Sequence, residues 1–186
     1  MMDRGFLLFD TPIGHCGIAW GDRGVTGVQL PEGSEAAARA RLERDHAESC
    51  ESAPPAAVAR AVEAIVALLN GEARDLSFVE LDMRQVPPFH RRVYEVARTI
   101  PPGATLAYGE IAARLGEPGA ARDVGAALGQ NPFAIVVPCH RVLAAHGKLG
   151  GFSARGGVKT KRRLLSIEGV QAPGTIPLFE RGSLAR

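Results

Sequence analysis

Asn131-Pro132-Phe133-Ala134-Ile135-Val136-Val137-Pro138-Cys139-His140-Arg141-Val142 is the stretch on which the reading of this chain turns. Its apolar run, residues 133–137, carries the backbone toward the interior and ends on Pro138. The next three side chains are a thiol, an imidazole and a guanidinium. A nucleophile and a base therefore stand where a buried segment surfaces. A free cysteine titrates near pH ~8.5, so little of it is thiolate at neutral pH without a neighbouring base, a cation or a helix N-terminus. Pro138 suits the first turn of a short helix, which would set Cys139 at the positive end of a dipole. Side chains at i and i+1 do not face one another on a helix and point apart on a strand, so His140 needs a water or a kink to reach the sulfur. Alone, the Cys-His pair reads first as a buried cysteine beside a surface His-Arg pair. Its surroundings reverse that preference.

Upstream, residues 89–100 form an amphipathic helix with Phe89, Val93, Val96 and Ile100 on one face, stopped by Pro101-Pro102-Gly103. Two short helices follow, 108–115 and 120–129, around the turn Gly116-Glu117-Pro118-Gly119. Their spacing fits a helix-turn-helix, although two such helices are often mere packing elements. The second is nearly all Ala, Gly and Val, which lets a backbone approach a ligand closely. Arg122 is the one long cation at its start, suited to reaching into a base stack. Downstream come the glycine-rich loop Lys148-Leu149-Gly150-Gly151-Phe152-Ser153 and a basic amphipathic helix, 158–167, with Leu164, Leu165 and Ile167 core-like. Glu168-Gly169 ends it, and 171–186 reads as an extended C-terminal tail.

The first half predicts a small α/β domain over 1–85. Strands at 6–9, 16–20 and 25–30 form an antiparallel meander. Ser34 caps a helix to about 47, residues 48–54 are a loop, and Pro55 opens a helix that ends at Asn70-Gly71. Residues 77–83 are a further strand. His15-Cys16 offers too few ligands for a metal, so no metal is expected. Val86-Pro87-Pro88 marks the junction to a mainly α domain over 86–170. A 186-residue chain with 46% hydrophobic and 23% charged residues is ordinary for a soluble protein. The scattered Cys16, Cys50 and Cys139 suggest a reducing compartment, and no apolar run approaches the ~20 residues of a membrane span. Net charge is only +2. Yet from Gly119 to Arg163 the cations Arg122, Arg141, Lys148, Arg155, Lys159, Lys161, Arg162 and Arg163 face one acid, Asp123. Such a run is either a solvated surface or a polyanion site beside Cys139.

Pro138-Cys139-His140-Arg141-Val142 resembles the active-site signature of the O6-alkylguanine-DNA alkyltransferases. Tyr108-Gly109-Glu110-Ile111-Ala112, Ala121-Arg122-Asp123-Val124-Gly125-Ala126-Ala127, Asn131-Pro132 and Leu164-Leu165-Ser166-Ile167-Glu168-Gly169 resemble the family's other blocks, in the family's order. The likeness spans 87–170 well and the first half loosely. It implies DNA repair by stoichiometric, irreversible transfer of an alkyl group from O6-alkylguanine to Cys139 of a cytoplasmic monomer. The partner is double-stranded DNA, with O4-alkylthymine an open second case, and no cofactor is used. By the same resemblance His140 takes the thiol proton through a water and Glu168 orients the histidine. Asn131 holds the turn, and Tyr108 contacts the target phosphate and polarises the departing guanine. Arg122 fills the gap left by the flipped base, with Ala121, Gly125 and Arg141 also at the DNA. The backbone of Cys139, Val142 and Ser153 lines the guanine pocket, with Phe152 stacking where the family often has tyrosine. Asp123 and the Ala154-Arg155 insertion depart from the family pattern. Two rivals remain: a damage binder of the same fold, in which the cysteine is replaced, and a cysteine hydrolase, which Arg122 and its helix do not support.

Overall fold

The computed structural model describes residues 4–170; the expected tail at 171–186 lies outside them. Three strands, β1 (Gly5–Thr11), β2 (Gly14–Gly21) and β3 (Gly24–Gln29), form the expected antiparallel meander, joined by tight turns at Gly14 and Gly24. Gly24 has φ +120°, and a Cβ there would lie 2.5 Å from the Glu80 carbonyl oxygen, so both conformation and crowding demand glycine. Helix α1 (Glu35–Asp45) is capped by Ser34, whose side chain accepts from Ala37 N–H at 3.2 Å.

Two expectations for this half are corrected. The expected loop at 48–54 contains β4 (Cys50–Glu51), which pairs parallel with β1, so the sheet is mixed, in the order β3-β2-β1-β4. The expected strand at 77–83 is absent. That segment crosses β3 at one bridge, Val25 to Leu81, through two backbone hydrogen bonds, Val25 N–H to Glu80 and Asp82 N–H to Val25.

Helix α2 (Ala56–Leu69) turns Val58, Ala61, Ile65, Leu68 and Leu69 inward, at helical spacing. Helix α3 (Pro88–Arg98) buries Val93, Tyr94 and Ala97. Strand β5 (Leu106–Ala107) pairs parallel with β6 (Val142–Leu143). Between them lie α4 (Tyr108–Arg114) and α5 (Ala121–Gly129), packed on each other and on α3. The last helix is α6 (Val158–Ile167). One apolar cluster runs from Ile18 and Trp20 in the sheet through Val86 to Phe133, Val142 and Leu164. No helix among the described residues is long and apolar enough to cross a membrane.

Candidate active site

The segment 133–137 folds back on itself before it reaches Cys139. Val137 N–H donates to Phe133 O at 2.8 Å and Val136 N–H to Ala134 O at 2.9 Å. The second bond closes a three-residue turn whose centre, Ile135, has φ +72°. That conformation is costly for a β-branched residue and persists only where the surroundings over-determine it. Here they do: Phe133, Ile135, Val136 and Val137 are all buried. Asn131 spans the turn, its amide donating to Val137 O and its carbonyl accepting from Phe133 N–H, each at 2.9 Å.

The helix expected from Pro138 is a single 3-10 turn, Cys139–Arg141, with Pro138 as its cap. A three-residue turn has no appreciable dipole, so the thiol draws its support elsewhere. Cys139 is half-buried. Burial raises its pKa, while the Asn131 amide, the Lys161 charge and the local backbone N–H groups pull it down. The net shift is upward, so the sulfur rests as a thiol and needs a base.

That base lies behind it. His140 is 1% exposed, and its Nε2 is 2.8 Å from Glu168 Oε1. Burial pushes the Glu168 pKa up, but hydrogen bonds from His140 and Arg141 overcome this and bring it to about 2. An ionised carboxylate only accepts, so Nε2 carries the proton and Nδ1 keeps its lone pair. Nδ1 is buried and has no protein partner among the described residues. Burial, opposed by Glu168, lowers the His140 pKa below 6.5 and keeps the ring neutral at neutral pH.

Arg141, expected at the DNA, is 5% exposed and committed to the interior. Its Nε and Nη2 donate to the two Glu168 oxygens at 2.9 Å each, and its Nη1 donates to Ile100 O at 2.6 Å. Such a fork is strong and directional, and it leaves no donor aimed outward. Val142, expected along the pocket, is fully buried behind the wall. Its carbonyl accepts from Lys161 Nζ at 2.5 Å.

A cleft of about 920 Å³ opens over the sulfur. Cys139, Tyr108, Ala121, Arg122, Gly125, Phe152 and Ser153 line it, as expected. Gly150, at φ +69°, lets the loop pass Tyr108: a Cβ would sit 3.3 Å from the phenol oxygen. Arg122 and Asp123 are exposed. Asp123 stands in the first turn of α5, where an acid complements the helix N-terminus, which accounts for its presence. A second cleft, of about 1200 Å³, lies between the sheet side and the 129–134 segment and also reaches Cys139, Phe152 and Ser153.

Lys161 is the residue the sequence reading missed. It is fully buried on α6, with Nζ 5.7 Å from the centroid of the Tyr108 ring. Burial lowers its pKa to about 8, which leaves it charged at neutral pH beside the thiol. Its spacing to Leu164 and Leu165, i+3 and i+4 on the apolar face, was the available signal.

The family described as 6-O-methylguanine DNA methyltransferase, DNA binding domain, matches residues 88–170. The methylated-DNA–protein-cysteine methyltransferase of Methanothermobacter thermautotrophicus is 40% identical over 163 residues, covering 88% of this chain and 84% of that protein. The protein of the same name from Mycobacterium bovis is 41% identical over 175 residues, covering 94% and 98%. The crystal structure of Mycobacterium tuberculosis OGT in complex with DNA matches with a TM-score of 0.70 at 38% identity, covering 88% of this chain and 92% of that one.

Proposed function

This chain belongs to the methylated-DNA–protein-cysteine methyltransferase family, and from that premise we propose that it repairs DNA by moving the alkyl group of O6-alkylguanine onto its own Cys139. The observation that carries the assignment of roles is the Glu168–His140 pair directly behind a half-buried thiol at the base of a cleft.

The thiol proton passes through a water to His140 Nδ1, and Glu168 stabilises the imidazolium that results. The thiolate, beside the Lys161 ammonium, attacks the sp3 carbon on O6. A carbon–sulfur bond forms as the carbon–oxygen bond breaks, and the electron pair leaves on the guanine, to which Tyr108 gives a proton. The product thioether has no easy hydrolytic exit and lies off the reversible thiol oxidation ladder, so each molecule acts once. Helices α4 and α5 serve as a helix-turn-helix on the minor groove, within a DNA-binding and transfer unit over 86–170. The small residues Ala121 and Gly125 allow close approach. The base must leave the stack to meet the sulfur in line, at a cost of a few kcal/mol, least for a damaged pair. Arg122 takes its place. A reducing cytoplasmic setting suits the three free thiols.

Incubation with a duplex holding O6-methylguanine, followed by intact mass and peptide mapping, tests the reading. One methyl-sized gain on Cys139 with restored guanine is the expected result. Binding with no gain points to a damage binder, and repeated turnover with no adduct to a hydrolase.

Arg122→Ala should slow repair in duplex DNA at least about tenfold, the effect of losing more than ~1.4 kcal/mol, yet leave attack on free O6-benzylguanine nearly unchanged. Equal losses on the two substrates would remove its role as a base substitute.

The pH dependence follows from His140. Its pKa lies below 6.5, so the lone pair is present above that value and lost as pH falls through the lowered one. Single-turnover rates should stay level from neutrality down to 6.5 and decline only below it. An acid limb centred above 6.5 would contradict this base.

A further inference from the structure

We propose that the outer face of α6, formed by Lys159, Arg162 and Arg163, holds DNA phosphates outside the segment gripped by α4 and α5. The inference rests on the reading of DNA as substrate given above. The three residues stand at i, i+3 and i+4, within an arc of about 100°, and all are exposed. Lys161, on the other side of the same helix, points inward to Val142 O. The cationic run read from the sequence therefore divides in two. Arg141 and Lys161 are structural, and the face of α6 belongs to solvent or to a partner.

Among the described residues these three cations have no carboxylate partner, whereas the arginines of the sheet side do. Arg4 pairs with Glu48, Arg39 with Glu35 and Glu51, Arg41 with Glu32 and Asp45, and Arg84 with Asp22 and Asp82. The one polar contact of the three is from Arg163 Nη2 to Pro12 O at 2.8 Å, which orients that guanidinium without neutralising it. Their placement also works against the helix. Lys159 lies in the first turn, where no acid is present and the peptide dipoles already present positive charge. Like charges at i+3 and i+4 repel. Packing gains nothing from this arrangement, and a row of phosphates offsets both penalties.

The test uses the full chain and the variant K159Q/R162Q/R163Q. Affinity is measured against salt on lesion-free duplexes of about one turn (~10 base pairs) and about three turns (~30 base pairs). On the long duplex the variant should lose at least about tenfold in affinity and about two to three units of the salt slope, one near-unit step per phosphate released. On the short duplex it should match the parent. An unchanged long-duplex slope, the behaviour of a solvated face, overturns the proposal. So does an equal fall on both lengths, which would put these residues inside the α4–α5 footprint. R162Q alone, with a slope change of about one unit on the long duplex only, repeats the test with a smaller perturbation. Both variants should still gain one methyl on Cys139. Failure of the parent protein to gain it would sink the repair reading instead, separately from this surface.

Discussion

Cys139→Ala is expected to abolish alkyl transfer while leaving DNA affinity within about twofold, the range of ~0.5 kcal/mol usual for a change away from the contact surface. The loss should be complete because neither remaining thiol can substitute. Cys16 is fully buried in β2, and burial pushes its pKa to about 12 despite a hydrogen bond with Thr11. Cys50 is exposed on β4 and lines neither cleft at Cys139. Intact mass after incubation with O6-methylguanine duplex should show no gain, and a gel or anisotropy titration should show the complex intact. Residual methylation mapped to any other residue would mean that the acceptor has been misassigned. Loss of binding together with transfer would mean that the thiol is chiefly structural.

Glu168→Ala should produce the largest loss of stability at the site. The carboxylate is 3% exposed and accepts from His140 and twice from Arg141, with Gly103 N–H a further 3.4 Å contact. Removing it leaves the Arg141 guanidinium buried and uncompensated, a situation that typically costs about 3–5 kcal/mol. At about 2–4 °C per kcal/mol for a chain of this size, melting should fall by roughly 6–20 °C. The sign with pH is fixed. The folded pKa is depressed from 4.5 to about 2, so the contribution is present above 4.5 and fades as pH falls toward 2. The difference between parent and variant should shrink over that window. Glu168→Gln, which keeps the shape, is the variant for kinetics. Transfer at pH 7 should drop about 10²-fold or more, as for loss of a group that sets a general base. A variant with normal rates but reduced stability would reduce Glu168 to a structural clamp.

How much of this was legible depended on range. The meander and the helices came from local spacing, and Ser34, Pro55 and Asn70 marked their ends. β4 escaped because two residues carry no period, and its pairing with β1 is set some forty-five positions away. Residues 77–83 alternate like a strand but meet β3 at a single point, because the Gly24 turn lets only Glu80 and Asp82 approach. At the site, the cleft-lining residues were readable as ordered blocks. The burial of Arg141 was not, since nothing adjacent to it announces a carboxylate 27 positions later. Lys161 was counted as surface on charge alone, against its own position on the apolar face of α6.

Ile135 carries one more implication. A segment held in a backbone state it disfavours cannot relax by small steps while Phe133, Val136 and Val137 remain packed and Asn131 braces both ends. It stays folded or comes loose as a unit. For a reagent consumed by its first encounter, that means shelf life: the sulfur is kept aimed through long idle intervals by the same tension that would let it go once the packing failed.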